Sequence, residues 1–215
     1  MLGERPAVET RGRRASPVLR RVRGRRGVVI VSCVVVALAA LTAWLWNDLT
    51  SRPAVYVVGD SITALSAASI SASLTEAGYQ ATISATPGVK IGQALANVTT
   101  LAHNQPWAWV IELGTDDAGA GDATWSQPFL QEWAAISPAA CVVYVTVSPH
   151  SGPVGTQIDS SIEKLAQAHA NVHVLDWGRI EYTNPAWVSP DGIHPTPDGE
   201  AELAALEAQE LRHTC

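Results

Sequence analysis

The chain has 215 residues, with 14 Lys and Arg against 20 Asp and Glu, for a net charge of -6. Nine of the fourteen basic residues are arginines before position 27, so everything after them is acidic. That balance excludes a nucleic-acid-binding surface on the folded part, and three cysteines are too few for a disulfide scaffold.

In chain order, residues 1–26 read as a basic cytoplasmic head. Residues 27–46, GVVIVSCVVVALAALTAWLW, contain no charge and no proline. About 20 helical residues rise roughly 30 Å, the thickness of a bilayer's hydrocarbon core. The arginines before this segment predict a cytoplasmic N-terminus and an extracytoplasmic domain, anchored by one transmembrane helix in a bacterial plasma membrane. Ala37-Leu38-Ala39 resembles a small-residue cleavage site, which leaves secretion after signal cleavage as the alternative. Cys33 lies inside the span and reads as a small apolar residue. Residues 47–53, NDLTSRP, read as a tether.

From Ala54 to Cys215 short β-rich runs alternate with helical stretches. AVYVVG (54–59) is apolar throughout, as a parallel strand covered on both faces requires. Helical stretches at about 62–77, 90–103, 124–136, 155–169 and 198–213 separate strands at about 80–84, 107–113, 141–147 and 171–176. The pattern predicts an α/β domain: a three-layer, flavodoxin-like sandwich around a five-stranded parallel sheet. Ligands of such sheets bind beyond the carboxyl ends of the strands, so the loops there are where chemistry is expected.

Those loops hold Gly59-Asp60-Ser61, Pro87-Gly88, Gly114-Thr115-Asp116-Asp117 and Asp191-Gly192-Ile193-His194-Pro195. A serine becomes a nucleophile at neutral pH when a base takes its proton. His194 is the candidate base, and Asp191, three residues earlier, is the carboxylate that would fix its tautomer. Backbone N–H groups of Ser61 and Gly88 are candidates for an oxyanion hole. Asp-Gly-x-His could also hold a metal, but no second clustered His accompanies it; neither metal nor cofactor is expected.

VVGDS, the glycine of ATPGV, ELGTDD and DGIHP resemble the four sequence blocks of the SGNH, or GDSL, hydrolases, over residues 54–213. The resemblance implies a serine esterase or acyl hydrolase working through an acyl-enzyme without a metal, on an acylated small molecule, glycan or lipid. It makes Ser61 the nucleophile, His194 the base, Asp191 its orienting carboxylate and Gly88 an oxyanion donor. The third block of the family reads Gly-x-Asn-Asp, its Asn donating to the oxyanion; this chain has Asp116 there. An ionised carboxylate only accepts hydrogen bonds. Asp116 therefore acts as a protonated donor, is bypassed by backbone donors, or marks a catalytically weak or non-catalytic binding module. The G-x-S-x-G elbow of the α/β-hydrolases is absent.

Asp60 and Asp117 are expected to brace loops through backbone N–H groups. Trp187 and His150 are candidate substrate contacts, each with ordinary packing or exposure as the alternative. Cys141 opens the fourth strand at the sheet's amino end, and the last helix must run back to that end. A Cys141–Cys215 disulfide is therefore predicted. Hydrolysis and transfer to a second alcohol are not separable at this level.

Overall fold

The computed structural model describes residues 34–43, Trp46, 52–136 and 138–215. The basic head read at 1–26 lies outside them, as does nearly all of the tether. Of the span read at 27–46, the described residues are helical with exposed side chains. Among the described residues no helix is long and apolar enough to cross a membrane. Residues 52–215 form one compact unit.

In the larger unit, strands β1 (Ala54–Gly59), β2 (Gln80–Ala85), β3 (Ala108–Glu112), β4 (Cys141–Val145) and β5 (Val172–Leu175) make one sheet in the order β2-β1-β3-β4-β5. Every pairing is parallel, with Val57 opposite both Ile83 and Val110, and Val143 opposite His173. Val, Ile and Trp dominate the central strands because branched and aromatic side chains pack well on a pleat buried on both sides. The strand period of two then sorts them. Val55, Val57, Val110 and Val143 face one apolar layer, while Val58, Trp109, Ile111, Val142 and Tyr144 face the other.

Each layer is closed by helices whose apolar residues recur at helical spacing. On the first face lie α1 (Ser61–Glu76), through Ile70 and Leu74, and the last helix, α7 (Pro197–Thr214), through Leu203, Ala204 and Leu211. On the second lie α2 (Ile91–Ala102), α4 (Ser126–Ala135) and α5 (Gly152–Ala168), through Val98, Phe129, Ile158 and Ile162. Burying a Leu or Ile side chain stabilises by about 1.5–3 kcal/mol, so these layers are the main source of stability. The result is the expected three-layer sandwich.

Two short helices, α3 (Thr115–Gly119) and α6 (Trp177–Thr183), stand where the sequence reading had loops. Cys141 and Cys215 form a disulfide, their Cα atoms 5.8 Å apart. The chain leaves β1 for β2 on one side and returns to β3 on the other. The resulting switch point lies at the carboxyl ends of β1 and β3, where a crevice opens.

Candidate active site

Ser61 is the first residue of α1, at the carboxyl end of β1. The turn is tight because Gly59 has no side chain: a Cβ there would sit 1.6 Å from the Thr63 hydroxyl and 3.0 Å from the Glu112 carbonyl oxygen. Asp60, fully buried, caps α1 by accepting from the Ile62 N–H at 3.0 Å, a side-chain satisfaction of an otherwise orphaned helix donor. Ser61 thereby presents its hydroxyl and a helix-terminal N–H to the crevice.

His194 arrives from a turn just before α7. Its Nε2 lies 2.9 Å from Ser61 Oγ, and its Nδ1 lies 2.7 Å from Asp191 Oδ2. The other Asp191 oxygen accepts from the Ile193 and His194 N–H groups, each at 3.0 Å. The hydrogen bond from His194, then those two backbone bonds, lower the Asp191 carboxyl to about 2. It is therefore ionised at neutral pH, holds Nδ1 protonated and leaves Nε2 free to accept the serine proton. His194 is 35% exposed and Asp191 50%, so the chain of hydrogen bonds opens to solvent.

Gly88 lies in a turn closed by Val89 N–H donating to the Thr86 carbonyl at 3.1 Å. Its φ of +80° follows Pro87, the arrangement of a type II turn, which favours glycine at this point. The Gly88 N–H stays outside the turn's own hydrogen bond. Asp117, buried in α3, accepts from the Ile91 N–H at 2.9 Å and so ties the third loop to the second. Both expected loop braces, Asp60 and Asp117, are thus seen bonded to backbone N–H groups.

Asp116 stands half-buried beside this group, with Oδ2 enclosed and without a hydrogen-bond partner among the described residues. Burial raises its pKa, while His194 and Lys90 pull it back. Burial likewise lifts Asp60 to about 6, eased by the Ile62 N–H and reinforced by Asp116. Two neighbouring carboxyls with raised pKa values, Asp60 and Asp116, thus accompany the Ser61–His194 pair.

Beneath the site lies a layer that the sequence reading did not identify. The Thr63 hydroxyl of α1 donates to Glu112 at the end of β3. Glu112 is raised well above its usual range, first by burial and then by Glu207 of α7. Glu207, wholly buried, is raised to about 8 by burial. One signal was available in the sequence: a lone glutamate inside the apolar run WAWVIEL.

His150 lies in a short 3-10 turn after β4, exposed, its ring 5.6 Å from that of Tyr182. Trp187 stacks on the buried Trp177, ring centroids 6.3 Å apart and nearly coplanar. It packs against the apolar layer of α1 and α7. Of its two readings, packing is the one the geometry favours.

A Ser–His–Asp relay at the switch point of a parallel sheet is the arrangement of a serine acyl hydrolase or acyltransferase. The SGNH, or GDSL, resemblance carried by the four blocks is matched by the fold. The C-terminal catalytic domain of the Streptococcus pneumoniae peptidoglycan O-acetyltransferase A superposes with a TM-score of 0.61 at 16% identity, over 76% of this chain and 92% of that one. A candidate lipolytic protein of the G-D-S-L family from Desulfitobacterium hafniense gives 0.58 at 15% identity, over 74% and 99%. Among curated proteins, the candidate peptidoglycan O-acetyltransferase YrhL of Bacillus subtilis (strain 168) is 31% identical over 160 residues. Those residues are 74% of this chain, which spans 24% of that relative's length. No family model matches the chain.

Proposed function

We propose that this protein is a serine esterase or deacylase that works through an acyl-enzyme. Its substrate is a carbohydrate- or lipid-linked ester outside the cytoplasmic membrane, to which residues 27–46 anchor it. The carrying observation is the hydrogen-bonded chain from Ser61 through His194 to Asp191. In the first step Ser61 Oγ attacks the ester carbonyl while His194 Nε2 takes its proton. The Ser61 and Gly88 N–H groups, with Asp116 when protonated, face the developing oxyanion. His194 then returns the proton to the departing alcohol, and water, activated in the same way, releases the acid.

Transfer of the acyl group to a second alcohol uses the same steps with the alcohol in place of water. The relatives that act in peptidoglycan O-acetylation favour this variant. A non-catalytic binding module is the reading from another class, and Asp116 is the feature that favours it.

The test is labelling of the full chain with a fluorophosphonate, alongside turnover of p-nitrophenyl acetate. Labelling at Ser61 and turnover are expected, both lost in Ser61→Ala and reduced at least about 10³-fold in His194→Ala. A folded protein that neither labels nor turns over supports the binding module instead.

A further inference from the structure

The end of the sheet opposite Ser61 gathers three metal-ligating side chains from three elements. Cys141 is the first residue of β4, and His173 is the second of β5. The register sets Val142 opposite Val172 and Val143 opposite His173. Because strand side chains alternate, Cys141, Val143 and His173 share one face of the sheet. That face is the one α7 covers, through Leu203, Ala208 and Leu211. Cys215 directly follows Thr214, the last residue of α7, and so reaches the same spot. The two sulfurs and one ring nitrogen of His173 all lie within 4.8 Å of one another.

Two thiolates and an imidazole are a donor set suited to borderline-soft cations, zinc above all. Around a tetrahedral zinc ion, with bonds of about 2.0–2.3 Å, such donors stand roughly 3.5–3.8 Å apart. The folded chain therefore supplies most of the geometry. Sulfurs joined in a disulfide are too close together for it, at about 2 Å, so the bridge and an ion exclude each other. Cys141 and His173 are half-buried on adjacent strands, a rigid platform for two of the three donors. Cys215 is exposed beyond the last helical residue, so its side chain can turn to open the separation without moving either strand. Three protein ligands leave the fourth position to water.

We propose that the reduced Cys141–Cys215 pair, together with His173, is a zinc site, and that bridge and metal are alternative states of one locus. Reduction by a dithiol delivers two electrons and two protons: the dithiol becomes a disulfide, and the bridge becomes two thiols. Binding then forms two Zn–S bonds and one Zn–N bond, and releases the two thiol protons. The ion replaces the bridge in tying the end of α7 to β4, and ties β5 in as well. By linkage, zinc draws the thiol–disulfide equilibrium toward the thiol form. The site shares no residue with the Ser61–His194–Asp191 chain and does not rest on the serine-ester reading.

The experiment uses the full chain in detergent micelles, with Cys33→Ala throughout so that only two thiols are in play. One half is reduced with a phosphine, which takes up the oxygen of one water to become the phosphine oxide, and is desalted without air. Zinc is then titrated into both halves against a chromophoric chelator. The reduced protein is expected to take one zinc ion per chain, at least about tenfold more tightly than the oxidised protein. His173→Ala and His173→Asn should each weaken that binding by about tenfold or more. Cobalt in place of zinc should give a thiolate-to-metal charge-transfer band in the near ultraviolet, absent from the oxidised protein. Zinc affinities within tenfold of each other in the two redox forms, or binding indifferent to both His173 changes, would overturn the site. So would a reduced protein whose near-ultraviolet circular dichroism is lost and is not restored by zinc.

Discussion

On the proposed mechanism Asp116 places a carboxyl where the third block of the SGNH pattern has an amide that donates to the oxyanion at any pH. Enclosure of Oδ2 and burial keep a proton on it to higher pH than an ordinary aspartate, as carboxyls in apolar oxyanion holes are kept neutral. Protonated, it donates; ionised, it repels the charge that forms on the carbonyl oxygen. The sign follows: activity is supported at low pH and lost as pH rises through the raised pKa. A change to Asn should remove that loss and raise kcat/KM at pH 8 by about tenfold, less than the 10²–10³ that one oxyanion donor is typically worth because part of Asp116 keeps its proton. A pH–rate profile of Asp116→Asn against the parent checks this. A large loss at every pH would instead give Asp116 a proton-transfer role. The departure from Asn was legible in the sequence; the enclosure that decides its protonation was not, because residues distant along the chain provide it.

At the scale of elements, α1, β3 and α7 come together at Thr63, Glu112 and Glu207. Glu207 has no hydrogen-bond partner among the described residues for either carboxyl oxygen, and burial raises it to about 8 from an ordinary value of 4.5. A carboxyl whose pKa is raised on folding holds its proton in the native state. It stabilises fully below about pH 4.5, and this contribution is lost as pH rises toward 8. Urea unfolding is expected to show the domain less stable at pH 9 than at pH 5.5 by roughly 2–4 kcal/mol. Glu207→Gln, which cannot ionise, should narrow that gap; an unchanged gap would mean that Glu207 titrates normally in the folded protein.

The elements themselves differ in how far they could be read. Strands β1, β3 and β4 were plain from their apolar runs, interrupted only by Glu112 in β3, and α7 from its leucines after the Pro197 start. Helices α3 and α6 were missed because five and seven residues are too few for a 3.6-residue period to repeat. The Ser61, His194 and Asp191 set was legible because each lies in a loop whose sequence is short, polar and punctuated by glycine. The approach of His173 to the Cys141–Cys215 pair depends on β5 pairing with β4, which no local pattern announces.

For the whole molecule, the proposed anchor makes the protein a membrane resident with its chemistry on the outer side. Alkaline carbonate should leave the full chain in the membrane pellet, and protease added to intact spheroplasts should remove the domain. Release of the domain into the medium as a shortened species would support cleavage near residues 37–39 in place of anchoring. The acidic balance after residue 26 fits an exported domain without basic surface, and the Cys141–Cys215 bridge fits an oxidising compartment.

Ser61 and His194 are 133 positions apart, one at the first strand–helix junction and the other at the threshold of the last helix. On the proposed mechanism, a nascent chain therefore carries an inert hydroxyl through most of its synthesis. On that mechanism reactivity switches on only when the turn before α7 docks, and a polypeptide stalled or clipped upstream of residue 194 lacks the base that Ser61 needs.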